Sequence, residues 1–321
     1  MSDIVIEPRL KHFPVPLFAV VMGLMGLSLA LHAASAAYPT LEVFSNLVMW
    51  FGIAVFLAVA LFYIAKCIKF ADAVQAEWNH PIKLAFFPAI SISMLLMSSA
   101  LLTSFPDTAR GIWIIGAALQ AVLTVAVISG WISHRAFEVG HLTPAWFIPA
   151  VGNVIAPIAG AKLGYVELSW LFFSAGLVFW LILLTLVFNR LIFHNPIPSK
   201  LLPTLVILIA PPAVAFVAYL SLIETVDVFA RILLNSGYVF AVLVLVQARK
   251  LIRQPFSLSW WALSFPVAGL TIASFQFAAI TGSWSHVVIG SIILVVLLVI
   301  MTGLVWRTGL AFMRDEICLP E

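Results

Sequence analysis

Charged residues are scarce in this chain of 321 residues. Asp, Glu, Lys and Arg together make up 9% of the sequence, whereas hydrophobic residues make up 64% and the mean hydropathy is +1.16. Soluble domains carry charges at roughly a quarter of their positions. The composition therefore excludes an ordinary soluble protein and predicts an integral membrane protein.

Cysteines and catalytic motifs are also few. The two cysteines, Cys67 and Cys318, are far apart in the sequence, which excludes a disulfide framework or a metal knuckle. The seven histidines lie in loops or near the ends of apolar runs, without a metal-binding pair on one helix face. No glycine-rich phosphate loop or nucleophile elbow is present. We therefore expect no enzymatic activity, no metal or cofactor and no nucleic-acid partner.

Ten apolar runs are about 20 residues long, the length that crosses a bilayer as a helix. They lie at 17–35, 42–66, 82–104, 110–131, 145–163, 166–189, 200–222, 225–247, 259–280 and 283–306. Few residues separate these runs, which leaves no room for a soluble domain. The sequence predicts an all-α membrane protein whose single transmembrane domain comprises residues 1–321.

Basic residues are distributed unequally between the two sides that ten spans would define. Of the 16 Lys and Arg residues, thirteen lie on the side of both termini, Arg135 among them, and three lie on the other side: Arg110, Lys162 and Arg231. Cytoplasmic loops carry the excess of basic residues in membrane proteins. We therefore expect a protein of the cell (inner) membrane with both termini in the cytoplasm.

Proline is absent from the interiors of the even-numbered spans and recurs in the odd-numbered ones. The interior prolines of the third, fifth, seventh and ninth spans are Pro88, Pro149, Pro212 and Pro266. Each removes a backbone hydrogen bond and frees a carbonyl that hydrocarbon cannot satisfy. Their spacing is close to the length of a helical hairpin. The pattern predicts five tandem hairpins with quasi-five-fold symmetry, whose odd helices form an inner ring around one axis.

The first hairpin departs from this pattern. Its prolines, Pro14 and Pro16, lie at the start of the span, and its interior has Gly23 and Gly26 instead. We expect these glycines to supply the bend that proline supplies elsewhere.

An alignment of the hairpins on the prolines, with Val21 in the place of the first, shows a repeated pattern on one helix face. The preceding position is mostly bulky, the position one turn later is mostly small, and a third position follows after another turn. In hairpin order the three positions are Val20, Phe87, Ile148, Pro211 and Phe265; then Leu24, Ser91, Gly152, Ala215 and Gly269; then Ser28, Leu95, Ala156, Tyr219 and Ala273. Residues i and i+4 share a helix face.

If that face looks at the axis, a constriction lies next to a wider chamber. The pore-lining candidates are then Val20, Leu24, Ser28, Phe87, Ser91, Ile148, Gly152, Asn153, Ala215, Tyr219, Gly269 and Ala273. Asn153 is included because it adjoins the small position of the fifth span. The alternative is that the same small residues let the inner helices pack closely on the outer ones.

Ionisable residues are missing from the middle of all ten spans. Coupled transporters usually place such a residue within the membrane, whereas an uncharged pore binds ions weakly and lets them pass quickly. The sequence therefore favours a passive pathway over coupled transport. Gln120 and Asn235, on even spans, are typical of polar contacts between helices. Asp227 and Arg231 are four residues apart and predict a local ion pair.

Several segments, taken in order, resemble a known family. They are Glu77-Trp78-Asn79-His80-Pro81-Ile82-Lys83, Val151-Gly152-Asn153, Leu163-Gly164-Tyr165, Leu171-Phe172-Phe173-Ser174-Ala175-Gly176, and Val226-Asp227 with Ala230-Arg231-Ile232-Leu233. Together with the proline-marked helices they are similar to the tellurite-resistance/dicarboxylate transporter family, which includes the bacterial TehA proteins and the plant slow anion channels. The resemblance covers nearly the whole chain.

The resemblance implies a homotrimer whose subunits each have a pore, lined by the five odd helices and surrounded by the five even ones. It also implies anion selectivity and a phenylalanine on the ninth helix that closes the pore; the matching position in Ser264-Phe265-Pro266 is Phe265. Chloride, nitrate, sulfite, tellurite and C4-dicarboxylates are associated with the family. The alternative function is therefore a secondary transporter or exporter of C4-dicarboxylate, sulfite or tellurite.

Overall fold

The structure is a computed structural model that describes residues 8–133 and 137–319, so Arg135 lies outside the described residues. Within these ranges the regular structure is entirely helical. Nine helices of the described part are long and apolar enough to cross a membrane: Val15–Ser35, Leu41–Lys69, Lys83–Leu101, Pro106–Ser133, Val166–Phe193, Ser199–Ile223, Val228–Val246, Leu258–Thr281 and Trp284–Met313. The protein is thus a multi-pass membrane protein.

The tenth predicted span, 145–163, corresponds to a shorter apolar helix, Pro144–Gly160. It consists of a 3-10 turn at Pro144–Trp146, an α-helix at Phe147–Val151, a second 3-10 turn at Gly152–Ile155 and an α-helix at Ala156–Gly160. Pro149 and Pro157 lack the N–H groups that a continuous helix would use. The expectation of ten comparable spans is corrected here to nine long helices and one short, broken helix.

Burial divides the helices into two alternating groups. We call Val15–Ser35, Lys83–Leu101, Pro144–Gly160, Ser199–Ile223 and Leu258–Thr281 the first to fifth inner segments, and the helices between and after them the outer helices. In the most apolar stretch of each helix, 78–83% of residues are buried in the four long inner segments, against 22–33% in the outer helices. The outer helices therefore present their apolar side chains to lipid, while the inner segments form the core.

The inner segments contact one another in a closed cycle. Each contacts the next one in the chain, and the fifth contacts the first. Each outer helix packs on the inner segment before it and on the next in the cycle; Trp284–Met313, for example, contacts both the fifth and the first inner segments. This arrangement places the axis of the cycle inside the five inner segments of a single chain.

All five inner segments begin with one or more 3-10 turns, a tighter form of helix that usually occurs in short pieces. These turns are Val15–Leu17, Lys83–Phe86, Pro144–Trp146, Ser199–Ile209 and Leu258–Leu263. They lie on the side of the molecule that holds the two ends of the described chain. An ion pair joins those ends, with Arg9 Nη2 2.7 Å from Asp315 Oδ1. We call this side the terminal face and the other side the opposite face.

Candidate functional site

Two cavities lie inside the cycle of inner segments. The terminal cavity has a volume of about 70 Å³ and receives residues from all five segments, among them Met22, Ile92, Gly152, Pro211 and Phe265. The opposite vestibule has a volume of about 360 Å³ and is likewise lined by all five, among them Leu29, Leu96, Ile158, Val217 and Gly269. The cavities follow the axis from the terminal face towards the opposite face.

Phe265 and Val214 separate the two cavities. Among the described residues, only these two line both the terminal cavity and the opposite vestibule. Both side chains are buried, with Phe265 8% exposed and Val214 4% exposed. We call this pair the constriction, since the pathway between the cavities passes their side chains.

Two glycines, Gly26 on the first inner segment and Gly269 on the fifth, pack against the side chains of the constriction. A Cβ at Gly26 would lie 3.2 Å from Phe265 Cδ2 and 3.0 Å from Ala268 Cβ, so the ring of Phe265 packs tightly against the first inner segment at this glycine. A Cβ at Gly269, one turn after Phe265, would lie 3.1 Å from Val214 Cγ2. The glycines therefore set how closely the first, fourth and fifth inner segments approach at the constriction.

The two cavities differ in polarity. In the described chain, Ser259 is the one polar side chain that lines the terminal cavity, and no charged side chain does. The opposite vestibule is lined by Lys162 and by hydroxyl, amide and imidazole side chains: His32, Ser35, Ser99, Thr103 and Gln276. His32 is itself engaged, because its Nδ1 is 2.8 Å from Glu42 Oε2.

Four of the six residues predicted to line a pore in the third and fifth inner segments lie at the cavities; Asn153 and Ala273 do not. Ile148 and Gly152 line the terminal cavity, Gly269 lines the opposite vestibule, and Phe265 lines both. Pro211 and Pro266 also line the terminal cavity. The structure thus brings together the predicted bulky and small positions of these two segments.

In the first inner segment the predicted face points towards the outer helix Leu41–Lys69. The Ser28 hydroxyl donates a hydrogen bond to the Ser45 carbonyl, 3.0 Å away, and Leu24 Cβ would be 3.3 Å from a Cβ at Gly52. Val20 lines neither cavity. Ala19 and Met22 line the terminal cavity instead, which corrects the predicted register.

The second inner segment shows the same correction. The Phe87 ring packs edge-on against Trp78, with ring centroids 4.9 Å apart, and the Ser91 hydroxyl donates to Gln120 Oε1 at 2.7 Å. Phe86 and Ile92 line the terminal cavity in their place. A 3-10 turn has 3.0 residues per turn and an α-helix 3.6, so the initial turns shift the phase that an all-α alignment assumes.

The remaining candidates also lie away from the cavities. Asn153 donates to Thr124 Oγ1 on an outer helix at 3.0 Å, and the Tyr219 hydroxyl donates to Asp227 Oδ2 at 2.6 Å. Ala215 and Ala273 are buried and line neither cavity. Close packing, the alternative reading of the small positions, describes these residues better than pore lining does.

Asp227 does not form the predicted pair with Arg231. Its Oδ1 accepts the Ala230 N–H at 2.8 Å, which caps the outer helix Val228–Val246, while Arg231 lies over the Phe277 ring at 5.3 Å. The Ala230 N–H and the Tyr219 hydroxyl both favour the charged carboxylate and hold the pKa of Asp227 below its usual value. Asp227 therefore orders the turn after the fourth inner segment.

Polar side chains of an outer helix satisfy the backbone where Pro149 breaks the third inner segment. The Pro149 carbonyl accepts from Thr124 Oγ1 at 2.9 Å and from Gln120 Nε2 at 3.3 Å. Gln120 also accepts from Ser91, so its predicted role between helices is confirmed. Asn235 instead donates to the Arg231 carbonyl of its own helix at 2.8 Å. The predicted hydrogen bond from Asn235 to another helix is therefore wrong for the described chain.

The other proline positions need less compensation. Pro88 precedes the α-helical part of the second inner segment, and its carbonyl accepts from the Ser91 hydroxyl at 2.9 Å. Pro211 and Pro212 occupy the first turn of the α-helix Ala210–Ile223, where backbone N–H groups have no partner in any case. Pro266 lies likewise in the first turn of the α-helix Ser264–Thr281. Three of the four interior prolines therefore mark the change from 3-10 to α-helix.

A buried ion pair near the terminal face was missed in the sequence. Lys66 Nζ is 2.8 Å from Glu77 Oε2, and both side chains are buried. Glu77 Oε2 also accepts from the Tyr63 hydroxyl at 3.0 Å, and Lys66 donates to the Phe13 carbonyl at 2.9 Å. The pair ties the start of the first inner segment to the outer helix Leu41–Lys69 and to the helix Ala71–Asn79. Buried charges require such partners, but the ten residues between Lys66 and Glu77 give no periodic signal.

Comparison with known proteins places the chain in a family. The profile of the SLAC1 family, described as "Voltage-dependent anion channel", matches residues 12–309. The chain is 27% identical over 311 residues to the tellurite resistance protein TehA homolog of Haemophilus influenzae, which covers 95% of this chain and 94% of that protein. It is also 27% identical over 292 residues to an uncharacterized transporter of Methanocaldococcus jannaschii, with 84% of this chain and 85% of the relative covered.

The plant relatives are longer. The guard cell S-type anion channel SLAC1 of Arabidopsis thaliana is 26% identical over 284 residues, which is 84% of this chain and 50% of that channel. The chain therefore spans about half the length of this plant channel. Since the family profile matches most of the chain, the protein belongs to the SLAC1/TehA family of membrane anion channels and transporters.

Proposed function

We propose that this protein is a passive anion channel in which each subunit has its own pore along the axis of the five inner segments, closed by Phe265. In this proposal the short segment Pro144–Gly160 completes a set of ten membrane segments with quasi-five-fold symmetry. Three such subunits form a homotrimer in the cell (inner) membrane, with the terminal face in the cytoplasm. Small inorganic or organic anions are the permeant species.

The position of Phe265 carries the proposal. Its side chain lies between the terminal cavity and the opposite vestibule. Each of these two cavities is lined by residues of all five inner segments. An aromatic ring at this place blocks the continuous axis of the cycle, and a narrow apolar constriction excludes water as well as ions. The arrangement supports a closed pore with Phe265 as its gate.

The charges near the cavities support anions over cations. No acidic side chain of the described residues lines either cavity, and Lys162 lines the opposite vestibule. The basic residues at the terminal face add to a positive field at that end of the pathway. A cation would meet repulsion at both ends and would find no carboxylate along the walls.

The buried ionisable residues support passive movement. Among the described residues the buried charged side chains are Lys66, Glu77 and Arg190, and none of them lines a cavity. Lys66 and Glu77 neutralise each other, and Arg190 donates to the Val139 carbonyl. Proton-coupled transport needs an ionisable group that meets the substrate. These three groups do not reach the axis, and His32, which lines the vestibule, is paired with Glu42.

Reversal potentials in planar bilayers test the proposal. We expect purified Phe265→Ala protein to carry a current whose reversal potential follows the anion gradient and does not move when a pH gradient is added. Bilayers without protein and bilayers with the wild type give the background and the closed state. Current that appears only with a pH gradient would instead support the alternative, a coupled transporter or exporter of C4-dicarboxylate, sulfite or tellurite.

A further inference from the structure

Lys162 lies at a backbone position that the fold fixes closely. It lies in the turn that directly follows the third inner segment and ends with Gly164 at φ +91°. The Tyr165 N–H donates to the Gly160 carbonyl at 2.9 Å and the Gly164 N–H to the Ala161 carbonyl at 3.1 Å. This pair of bonds is the Schellman helix end. A defined turn, rather than a long loop, therefore holds Lys162 at the vestibule.

Ring stacking secures the same turn from the outside. The Tyr165 ring stacks on Trp113, with ring centroids 4.6 Å apart and an angle of 6° between the planes. Trp113 is buried, and its Nε1 donates to the Ala156 carbonyl at 2.8 Å. The outer helix Pro106–Ser133 thus anchors both ends of the α-helix Ala156–Gly160, and the anchoring restricts where the Lys162 side chain begins.

The charge of Lys162 is not neutralised within the described chain. No acidic side chain of residues 8–133 or 137–319 lies within ion-pair distance of it, whereas the nearby imidazole of His32 is paired with Glu42. Lys162 is solvent-exposed at the rim of the vestibule. Its ammonium group is therefore the one unpaired positive charge that faces this cavity.

Other groups complete a polar wall around the vestibule. Ser99 of the second inner segment and Thr103 of the turn that follows it line the same space as Gln276 of the fifth. The Ser99 hydroxyl donates to the Leu95 carbonyl at 3.0 Å, so it offers the cavity its oxygen. Gln276 Oε1 is buried and has no hydrogen-bond partner among the described residues. A buried amide oxygen without a donor is costly, so a ligand or water that reaches this amide would stabilise it.

We propose that the opposite vestibule is a binding site for a small hydrated anion, with Lys162 as its charge and Ser99, Thr103 and Gln276 as its polar wall. This site rests on the proposed channel function, because it would load anions into the pathway from the opposite face. The other explanation of Lys162 is purely local, since a cation near the C-terminal end of a helix also interacts favourably with the helix dipole.

Concentration dependence of the current separates these explanations. In the Phe265→Ala background, we expect Lys162→Gln to raise the half-saturating anion concentration about fivefold, the effect of one unit charge about 4 Å from an ion in water. Lys162→Arg should retain the original value. The matched control is Arg110→Gln, which removes a charge from the same face at a residue that lines neither cavity.

Bromide provides a readout that does not depend on conduction. Crystals of the protein in sodium bromide should show an anomalous peak in the vestibule, which Lys162→Gln removes and Arg110→Gln retains. A peak without any anion current in Phe265→Ala would contradict the proposed function and leave the site in place. Anion current with no bromide peak, and with equal half-saturation in Lys162→Gln and Arg110→Gln, would overturn the site while the channel stands.

Discussion

The terminal cavity and the opposite vestibule are built by the same five inner segments, yet they offer an ion opposite environments. The terminal cavity is small, at about 70 Å³, and almost wholly apolar, whereas the vestibule is about 360 Å³ and carries hydroxyl, amide and ammonium groups. The N-terminal halves of the segments supply prolines and bulky apolar residues, and the C-terminal halves supply polar ones. Phe265 and Val214 therefore lie where an apolar stretch of the axis meets a polar one, which in the proposed channel separates the barrier from the attraction for anions.

The largest effect is expected when the aromatic ring that separates the two cavities is removed. Phe265→Ala should increase basal anion conductance by about 10- to 100-fold, the effect of lowering a barrier by about 1.4 to 2.8 kcal/mol. The reason is that the ring fills the junction between the two cavities. Single-channel recording gives the conductance, and size-exclusion chromatography checks that the oligomeric state is unchanged.

Phe87→Ala is the matched control for this change. Phe87 has the equivalent place in the second hairpin, but its ring packs on Trp78 and Tyr63 and lines neither cavity. We expect conductance per folded channel to stay at the wild-type level. If Phe265→Ala folds and conducts no better than the wild type, Phe265 is not the gate.

Gly152 and Gly269 test the two cavities separately, although the repeat pattern makes them equivalent. A Cβ at Gly152 would lie 2.5 Å from Ile92 Cδ1 and 3.1 Å from Gln120 Nε2, whereas a Cβ at Gly269 would meet Val214 Cγ2 at 3.1 Å and opens onto the vestibule. Gly152→Leu should therefore overpack the core at a cost of about 1–3 kcal/mol and reduce the yield of folded protein. Gly269→Leu should fold and, in the Phe265→Ala background, reduce the current towards background.

Expression yield, thermal unfolding and current, measured side by side, decide between these outcomes. Equal loss of folded protein in both variants would show that the small residues serve packing alone. If both variants fold and both lose the current equally, the terminal cavity has more room at Gly152 than its contacts with Ile92 and Gln120 indicate.

A smaller effect is expected at the second residue of the constriction. Val214→Ala removes two methyl groups from the wall that faces Phe265 and should raise conductance severalfold, well below the increase for Phe265→Ala. Val217→Ala is the control, because Val217 lies on the same segment and lines only the vestibule. Flux assays in liposomes should show a change for Val214→Ala alone, and equal values for the two variants would remove Val214 from the constriction.

Much of the fold follows from the sequence because two strong signals agree. Apolar runs of spanning length define the helices, and interior prolines separate inner from outer ones, as at Pro88 and Pro266. Both signals are local, since each depends on what hydrocarbon tolerates in a single helix. The family resemblance is confirmed by the match over residues 12–309.

The details of the cavity walls did not follow from the same reasoning. An alignment on proline assumes one helical period, but Lys83–Phe86 is a 3-10 turn, and Phe86 rather than Phe87 lines the cavity. The buried Lys66–Glu77 pair depends on a bend between two helices that no periodicity predicts. Val214 was not singled out because its importance comes from a partner on another segment, and such contacts are visible only after the chain has closed on itself.

The constriction is electrically neutral, and this has a consequence for voltage. A membrane potential of 100 mV does about 2.3 kcal/mol of work on each elementary charge that crosses it, but it does none on the side chains of Phe265 and Val214, which carry no charge. Rotation of the Phe265 ring off its place against Gly26 therefore contributes no gating charge. Any dependence of the current on voltage has to arise from the permeating anion itself or from charged groups away from the constriction.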